Sequence, residues 1–551
     1  MKNCSILFIS SALLVLGSCS KNSSPQYEVY NPDIERQQIS FPVPGRQHHD
    51  AAIAWYKDRW IVQYDDHVVP KGVPQYINQR TSFDFKNWTP EIRVFSDSAG
   101  TSDPVKWHGD QWQPGFVNVN NELWSLWTVS KLKEIYFSRL GDPTGKWQNQ
   151  TIPLTNLFIT CNGIVLSNGW VAIPVTKVLS VGGSGILPKD SAYNSDHFIY
   201  TADNGKNWQI SAGTFAHKGP TWEATIWEPK QGEIWMIARN IGTTRIVQKT
   251  PMTEAAGYNY SLDFGKTWVS EKRQLLPMEL SNSRPYVLNY KKRNIMLHND
   301  YYTPSLFHAE HRYNVTLFFN RGRGVNFVAG PVIDTRISEY PQIFIHNNQA
   351  IVIYSAREQF PGDRFIMVAR LKLPEPDKYY IFARTSRGKI DQVDVDGRKA
   401  IRFHDNYSSA GIDVDENDSR KDEVHISFDF KIESPGEQSL FTIGFPPVQL
   451  VSRENQVILK SETDSVIVGS VQDWTRVELI SKPGEISACV GNGKWISMTH
   501  KLDQAGRWLY FGQGYYKTND STGVRHPQNG KQFLIDISSL KTNVKSFTAN
   551  K

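Results

Sequence analysis

Glu223 and Arg239 bracket the stretch EATIWEPKQGEIWMIARN, residues 223–240, in which two short apolar strands flank a Gly turn. An acid before one strand and a guanidinium at the end of the next bring a base and an anion-binding group to the same end of a hairpin. Comparable groups open other apolar runs: His48, His49 and Asp50, then Gln113, Asn162, Arg284 and Tyr340. His67 and Arg312 lie after second strands or in nearby loops. Carboxylates, imidazoles and a phenol of this kind can do acid–base or nucleophilic work, with arginines gripping an anion, provided that distant segments converge.

The elements that must bring them together repeat. Aromatic residues close polar turns at Trp88, Trp147, Trp208, Trp268 and Phe327, at spacings of 59, 61, 60 and 59 residues, and a constant period of this size marks a repeat architecture. Three turns share chemistry: SFDFKNW (82–88), TADNGKNW (201–208) and SLDFGKTW (261–268). The last fits Ser-x-Asp-x-Gly-x-Thr-Trp at every defined position, the first is one residue short, and the turns at 138–147 and 318–327 are degenerate. In such a box the Asp accepts turn N–H groups, the Gly takes a positive φ, and the Trp packs between neighbouring sheets. Between boxes a strand, a Gly- or Asn-containing turn and a second apolar strand recur in AAIAWYKDRWIVQY, GFVNVNNELWSLWTV, GIVLSNGWVAIPV, ATIWEPKQGEIWMIA, PYVLNYKKRNIMLH and PQIFIHNNQAIVIYS.

Six copies predict a β-propeller of six four-stranded blades over residues 36–377, closed by an early strand near 36–43, with a seventh blade only if residues 98–112 hide one. The first strand of each blade lines the central tunnel, so the residues just before those strands share one mouth. After a Pro-flanked charged linker at 372–378, residues 378–551 alternate apolar and polar without boxes, as in VHISFDFKI and RVELISK, which predicts a β-sandwich and an all-β chain.

Composition narrows the function classes. The net charge of +6 is spread without a long basic run, which argues against nucleic acid and suits an anionic small ligand or glycan. Cys161 and Cys489 lie in different expected domains, so neither a disulfide framework nor a cysteine metal motif is expected, and no cofactor is called for. The His-His-Asp-His set of blade one matches no specific metal-ligand spacing, and no metal is assigned to it. The start, MKNCSILFISSALLVLGSCS, has a basic head and an apolar run too short for a typical spanning helix.

That start resembles a bacterial lipoprotein signal over residues 1–18, with Cys19 as the lipidated residue and 19–35 as a tether, which implies export and a membrane anchor. Over 36–377 the chain resembles the sialidase superfamily: Glu223, Arg239, the box at 261–268, Arg312 in HAEHRYNVTLFFN and Tyr340 in SEYPQIFI fall in that family's order. The resemblance implies Tyr340 as nucleophile, Glu223 as the base that ionises it, and arginines on a substrate carboxylate. His48-His49-Asp50 stand where the family has Arg-Ile-Pro, and Asp65 or Asp66 would have to replace its acid. His-His, an apolar strand and Tyr64-Asp65-Asp66-His67 resemble instead propeller enzymes of rhamnose–uronate linkages, ulvan lyases and histidine-dependent rhamnosidases among them. There an arginine neutralises the uronate, a neutral His takes the C5 proton or activates water, and Tyr340 protonates the leaving oxygen. SFDFKIESPGEQSLFTIG and DWTRVELISKPGEISACVGNG resemble laminin-G or concanavalin-like jelly rolls.

The expectation is therefore an exported, lipid-anchored, exo-acting glycoside hydrolase on an acidic oligosaccharide or polysaccharide, with a polysaccharide lyase or a non-catalytic glycan-binding propeller as alternatives. Its expected catalytic residues are Glu223, Tyr340, His49 and His67, and its expected substrate-binding residues Arg239, Arg312, Arg284, His48 and Asp50.

Overall fold

The computed structural model describes residues 25–68, 75–95, 111–129, 134–143, 145–178, 194–214, 221–240, 256–270, 274–276, 283–303, 311–359, 362–385, 390–404, 408–413, 423–443, 448–461, 463–500, 509–512 and 532–544. Cys19 and the leader, and most of the stretch that could have hidden a seventh blade, lie outside them. Among the described residues every regular element is a strand.

Six antiparallel sheets follow one another along the chain, each built from the inside outward. Blade one comprises Arg46–Tyr56, Arg59–Val68, Tyr76–Ser82 and Ile92–Val94. Blade six comprises Ile337–His346, Gln349–Arg357 and Phe365–Lys372, and its outer strand is the early segment Glu35–Gln38, which closes the ring. The inner hairpins turn on residues that tolerate the left-handed region: Asn120-Asn121 in blade two, Gly232 in blade four and Asn347-Asn348 in blade six all have positive φ.

The boxes occupy the turns between third and fourth strands, at the end of the blade opposite the tunnel mouth. Asp263 accepts from the Thr267 backbone N–H at 2.9 Å and Asp203 from that of Asn207 at 2.8 Å. Gly265 combines φ of +80° with a close approach to blade three: a Cβ there would stand 2.2 Å from the Phe198 ring. Glycine is thus required twice over. In the box that is one residue short, Phe85 takes the left-handed position at φ 63°. The tryptophans join neighbours: Trp268 Nε1 donates to Ala212 O at 2.8 Å, and Trp147 Nε1 to Gln79 Oε1 at 3.0 Å.

Beyond the ring, two further sheets of eight and seven strands enclose one core that includes Ile401, Phe428, Leu440, Phe511 and Ile535. Tyr27–Tyr30, expected in the tether, is instead a strand of the eight-stranded sheet, pairing parallel with Tyr379–Thr385. Its two faces explain it: Tyr27 and Val29 point into the core between the outer sheets, while Tyr30 points into the core shared with the propeller. The N-terminal segment therefore stitches the outer sheets to blade six. Tyr30, Phe319, Val328, Phe382 and Tyr510 share a core where blade five meets the outer sheets, and Arg293 of blade five meets Asp413 there at 2.7 Å.

Candidate active site at the propeller mouth

Of the residues expected just before the inner strands, Asn162 and Arg284 do precede theirs, whereas His48, His49, Asp50, Gln113, Glu223 and Tyr340 lie within them. Inner-strand pairing continues past each of these residues because the register steps there: between His49 and Ala52, Trp112 and Gly115, Trp222 and Thr225, and Glu339 and Gln342. Each step holds one residue in the left-handed region, Asp50 at φ 41°, Gln113 at 54°, Glu223 at 59° and Tyr340 at 52°. A non-glycine residue there costs on the order of 1–3 kcal/mol and persists only where its surroundings fix it. The preceding blade supplies part of the fixing: the Gln113 N–H donates to Asp65 Oδ1 at 3.0 Å, and the Glu223 N–H to Thr176 Oγ1 at 3.1 Å. A bulge turns one side chain out of the strand's alternation, and four blades use it to aim a polar group at the tunnel.

Glu223 and Arg239 meet, with Nη1 2.9 Å from Oε2 and Glu223 almost wholly enclosed. Tyr340 stands among cations: the Arg284 guanidinium is 4.8 Å and that of Arg312 5.3 Å from its ring centre, while the His49 ring packs edge-on at 4.7 Å. Burial pushes the Tyr340 phenol up to about 12, the Glu223 charge adds to the rise, and Arg312 and Arg239 oppose it. The resting phenol is therefore protonated at neutral pH and needs a base as it reacts.

His49 lies between two carboxylates, Nε2 2.8 Å from Glu339 Oε2 and Nδ1 3.2 Å from Asp50 Oδ2. Glu339 also binds Arg357 at 3.1 Å and Arg364 at 2.9 Å. Although burial opposes it, Arg364, His49 and Arg312 hold Glu339 well below the usual carboxylate range. Asp65, behind Asp50, is pushed well above that range by burial and by the Asp50 charge. Arg284, only 1% exposed, donates to Thr160 O and to Tyr340 O and lies 3.4 Å from Asp50 Oδ1. It braces the bulges of blades one and six and offers no open face to a ligand.

The structure thus brings together Glu223, Arg239, Arg284, Arg312, Tyr340, His49 and Asp50. His48 points the other way, as strand alternation requires. It is buried against Tyr64 at 4.9 Å between ring centres, and burial pushes its imidazole down. The His67 backbone pairs with Gln47, and its side chain lies outside the described residues. Glu339, Arg357 and Arg364 were not anticipated. Arg357 carried a usable signal, because it ends the second strand of blade six much as Arg239 nearly ends that of blade four.

No protein-family model matches the chain, and no curated protein matches it. Among solved structures it is similar to Trypanosoma rangeli sialidase, at 11% identity and a TM-score of 0.47 over 93% of this chain and 96% of that one. The same enzyme in complex with sialic acid gives 13% identity and a TM-score of 0.47 over 95% of each chain. A protein of unknown function from Dyadobacter fermentans gives 14% identity and a TM-score of 0.47 over 62% of this chain and 99% of that one. The six sheets themselves establish the propeller.

Proposed function

We propose that the protein is a glycoside hydrolase that removes an acidic sugar from a glycan, with Tyr340 as nucleophile. The observation that supports this most is the convergence of a phenol, an enclosed carboxylate and two largely buried arginines from blades four, five and six on one bulged mouth. Glu223 takes the Tyr340 proton as the phenolic oxygen bonds to the anomeric carbon, and the glycosidic C–O bond breaks. Arg239 and Arg312 hold the sugar carboxylate, while Arg284 holds Tyr340 in place. Water then releases the sugar from the tyrosine. While the leaving oxygen takes its proton from solvent water, His49 packs edge-on against Tyr340 and holds the phenol ring in place. Its two nitrogens are engaged by Asp50 and Glu339, which disfavours the lyase route, where a neutral imidazole must present a lone pair to a C5 proton.

Incubation with a panel of acidic oligosaccharides tests the reading. A new reducing end without ultraviolet absorbance is the expected result. An unsaturated-uronate absorbance would replace hydrolysis by elimination, and binding without any product would leave a glycan-binding propeller. We also propose that Cys19 carries a lipid anchor, so Cys19→Ser should move the protein out of the membrane fraction; unchanged fractionation would overturn that.

A further inference from the structure

Radially outward from the mouth, blade one holds a second cluster that the proposed reaction does not use. His48 from the inner strand, Asp66 from the second strand and Glu91 ahead of the fourth strand bring three donor atoms within 4.8 Å of one another. His48 Nε2 lies 3.8 Å from Asp66 Oδ1 and 3.9 Å from Glu91 Oε2, too far for a hydrogen bond to either. The side chain is only 4% exposed, and Nδ1 also has no hydrogen-bond partner. A buried imidazole with neither nitrogen satisfied is costly, and here one nitrogen is aimed at the space between two carboxylates.

That space is built. Asn78 Nδ2 donates to Asp66 Oδ2 at 3.1 Å and to Glu91 Oε1 at 2.6 Å, Arg46 Nε donates to Asp66 Oδ1 at 2.7 Å, and the Tyr64 hydroxyl binds Glu91 Oε2. These bonds orient both acids and leave each inward oxygen a lone pair. Two carboxylates face Arg46, which reaches both Asp66 oxygens, and the nearby Arg80, so the charges balance and the site rests on the donor geometry. Metal bonds of about 2.0–2.2 Å to imidazole nitrogen and carboxylate oxygen bridge donors up to about 4 Å apart, which the two measured separations satisfy. Glu91, 36% exposed, gives the site an opening to solvent. The neighbouring cluster of His49, Asp50 and Asp65 is a poorer candidate, because both His49 nitrogens are already engaged by carboxylates.

We propose that His48, Asp66 and Glu91 bind one divalent transition-metal ion of the zinc type, with water completing the shell. The mixed nitrogen and oxygen donor set favours zinc or cobalt over magnesium. The ion would tie three segments of blade one together directly behind His49.

The test uses the full chain, stripped with a chelator and dialysed, then titrated with Zn2+ by calorimetry and with Co2+ by visible absorption. One ion per chain and a ligand-field band that Zn2+ displaces are expected. Glu91→Gln, at a partly exposed position that should fold normally, should weaken Zn2+ at least about tenfold and abolish the band, as loss of a ligand should cost no less than the 10–100-fold of an outer-shell change. His48→Gln should do the same, with the fold checked by circular dichroism. Equal Zn2+ affinity in wild type and Glu91→Gln, or no cobalt band in wild type, would overturn the proposal. Both readouts report the ion and not glycan cleavage, so they stand whichever way the functional reading falls.

Discussion

The two ends of each blade solve different problems with the same backbone device, a residue of positive φ. At the box end the left-handed residues are the pairs Asn204-Gly205 and Phe264-Gly265, with Phe85 in the short box, and the neighbouring aspartates Asp203 and Asp263 are held low by turn N–H groups, those of Asn207 and Thr267 respectively. At the mouth they are Asp50, Gln113, Glu223 and Tyr340, residues that gain nothing from that conformation themselves. The box satisfies its own groups locally and recurs in blades one, three and four. The mouth spends backbone strain to aim four different side chains at one point, and its charges are satisfied between blades. Perturbing the box should affect stability alone, whereas perturbing the mouth should separate chemistry from stability.

The largest effect is expected at the chemistry itself. Glu223→Gln should lower turnover by about 10²–10⁴, the range for a general base, and Tyr340→Phe should lower it further because the nucleophile is gone. Both variants should still bind acidic oligosaccharide; Tyr340→Phe should melt near wild type, and Glu223→Gln lower, because it removes the buried ion pair with Arg239. Turnover within tenfold of wild type for Tyr340→Phe would remove Tyr340 from the mechanism and return the role to His49.

Next comes Glu339, which holds His49, Arg357 and Arg364 together. Glu339→Gln leaves buried cations uncompensated and should destabilise the protein by about 3–5 kcal/mol at neutral pH, read by denaturant unfolding. Because the folded-state pKa is depressed, this contribution is fully present above the unfolded value of about 4.3 and is lost as pH falls toward the folded one. The gap between wild type and variant should therefore close on acidification below about pH 4. Asp65 has the opposite sign: its raised pKa lets the folded state hold a proton, so its contribution to stability declines as pH rises above the unfolded value of about 3.9. A constant gap for Glu339→Gln across that range would show that packing and not charge sets its role.

The contrast also explains what the sequence disclosed. The boxes were legible because their chemistry is local: Asp263 and Thr267, four residues apart, bond each other, and the period then gives the blade count and the closing strand. Glu223, Arg239 and Tyr340 could be placed at the mouth by their position relative to apolar strands. The bulges were not legible, because neither Gln113 nor Tyr340 is a residue type that marks positive φ. Nor was Glu339 visible, since its partners Arg357 and Arg364 lie in other strands or loops and nothing in SEYPQIFI requires them. His48 and His49 read as a pair, yet alternation sends them to opposite faces.

A smaller effect belongs to Arg239 and Arg312. Arg239→Ala and Arg312→Ala should each weaken an acidic oligosaccharide by about 1.5–3 kcal/mol, the worth of a hydrogen bond to a charged group, or roughly ten- to a hundredfold in Kd. A neutral oligosaccharide of the same length should lose little. Arg239→Ala should also lower turnover, because it leaves Glu223 without its partner at 2.9 Å, whereas Arg312→Ala should act mainly on affinity. Equal losses for charged and neutral ligands would mean that the arginines shape the mouth and do not read a carboxylate.

The smallest effect is expected at the box, and it tests the comparison from the other side. Asp263 accepts from the Thr267 N–H at 2.9 Å, from the Thr267 hydroxyl at 2.7 Å and from the Ser261 hydroxyl at 2.7 Å. The turn is largely exposed, so in Asp263→Ala water takes over much of what the carboxylate satisfied, and the net loss should be near 1 kcal/mol. The box lies at the opposite end of blade four from the Glu223 bulge, and the inner hairpin between them carries the Trp227–Trp235 pairing unchanged. Turnover and affinity of Asp263→Ala should therefore match wild type at temperatures where both are folded, with only the melting temperature lowered. A drop in turnover comparable to that of Arg239→Ala would show that strain at the box end reaches the mouth, and the two ends could no longer be treated as separate devices.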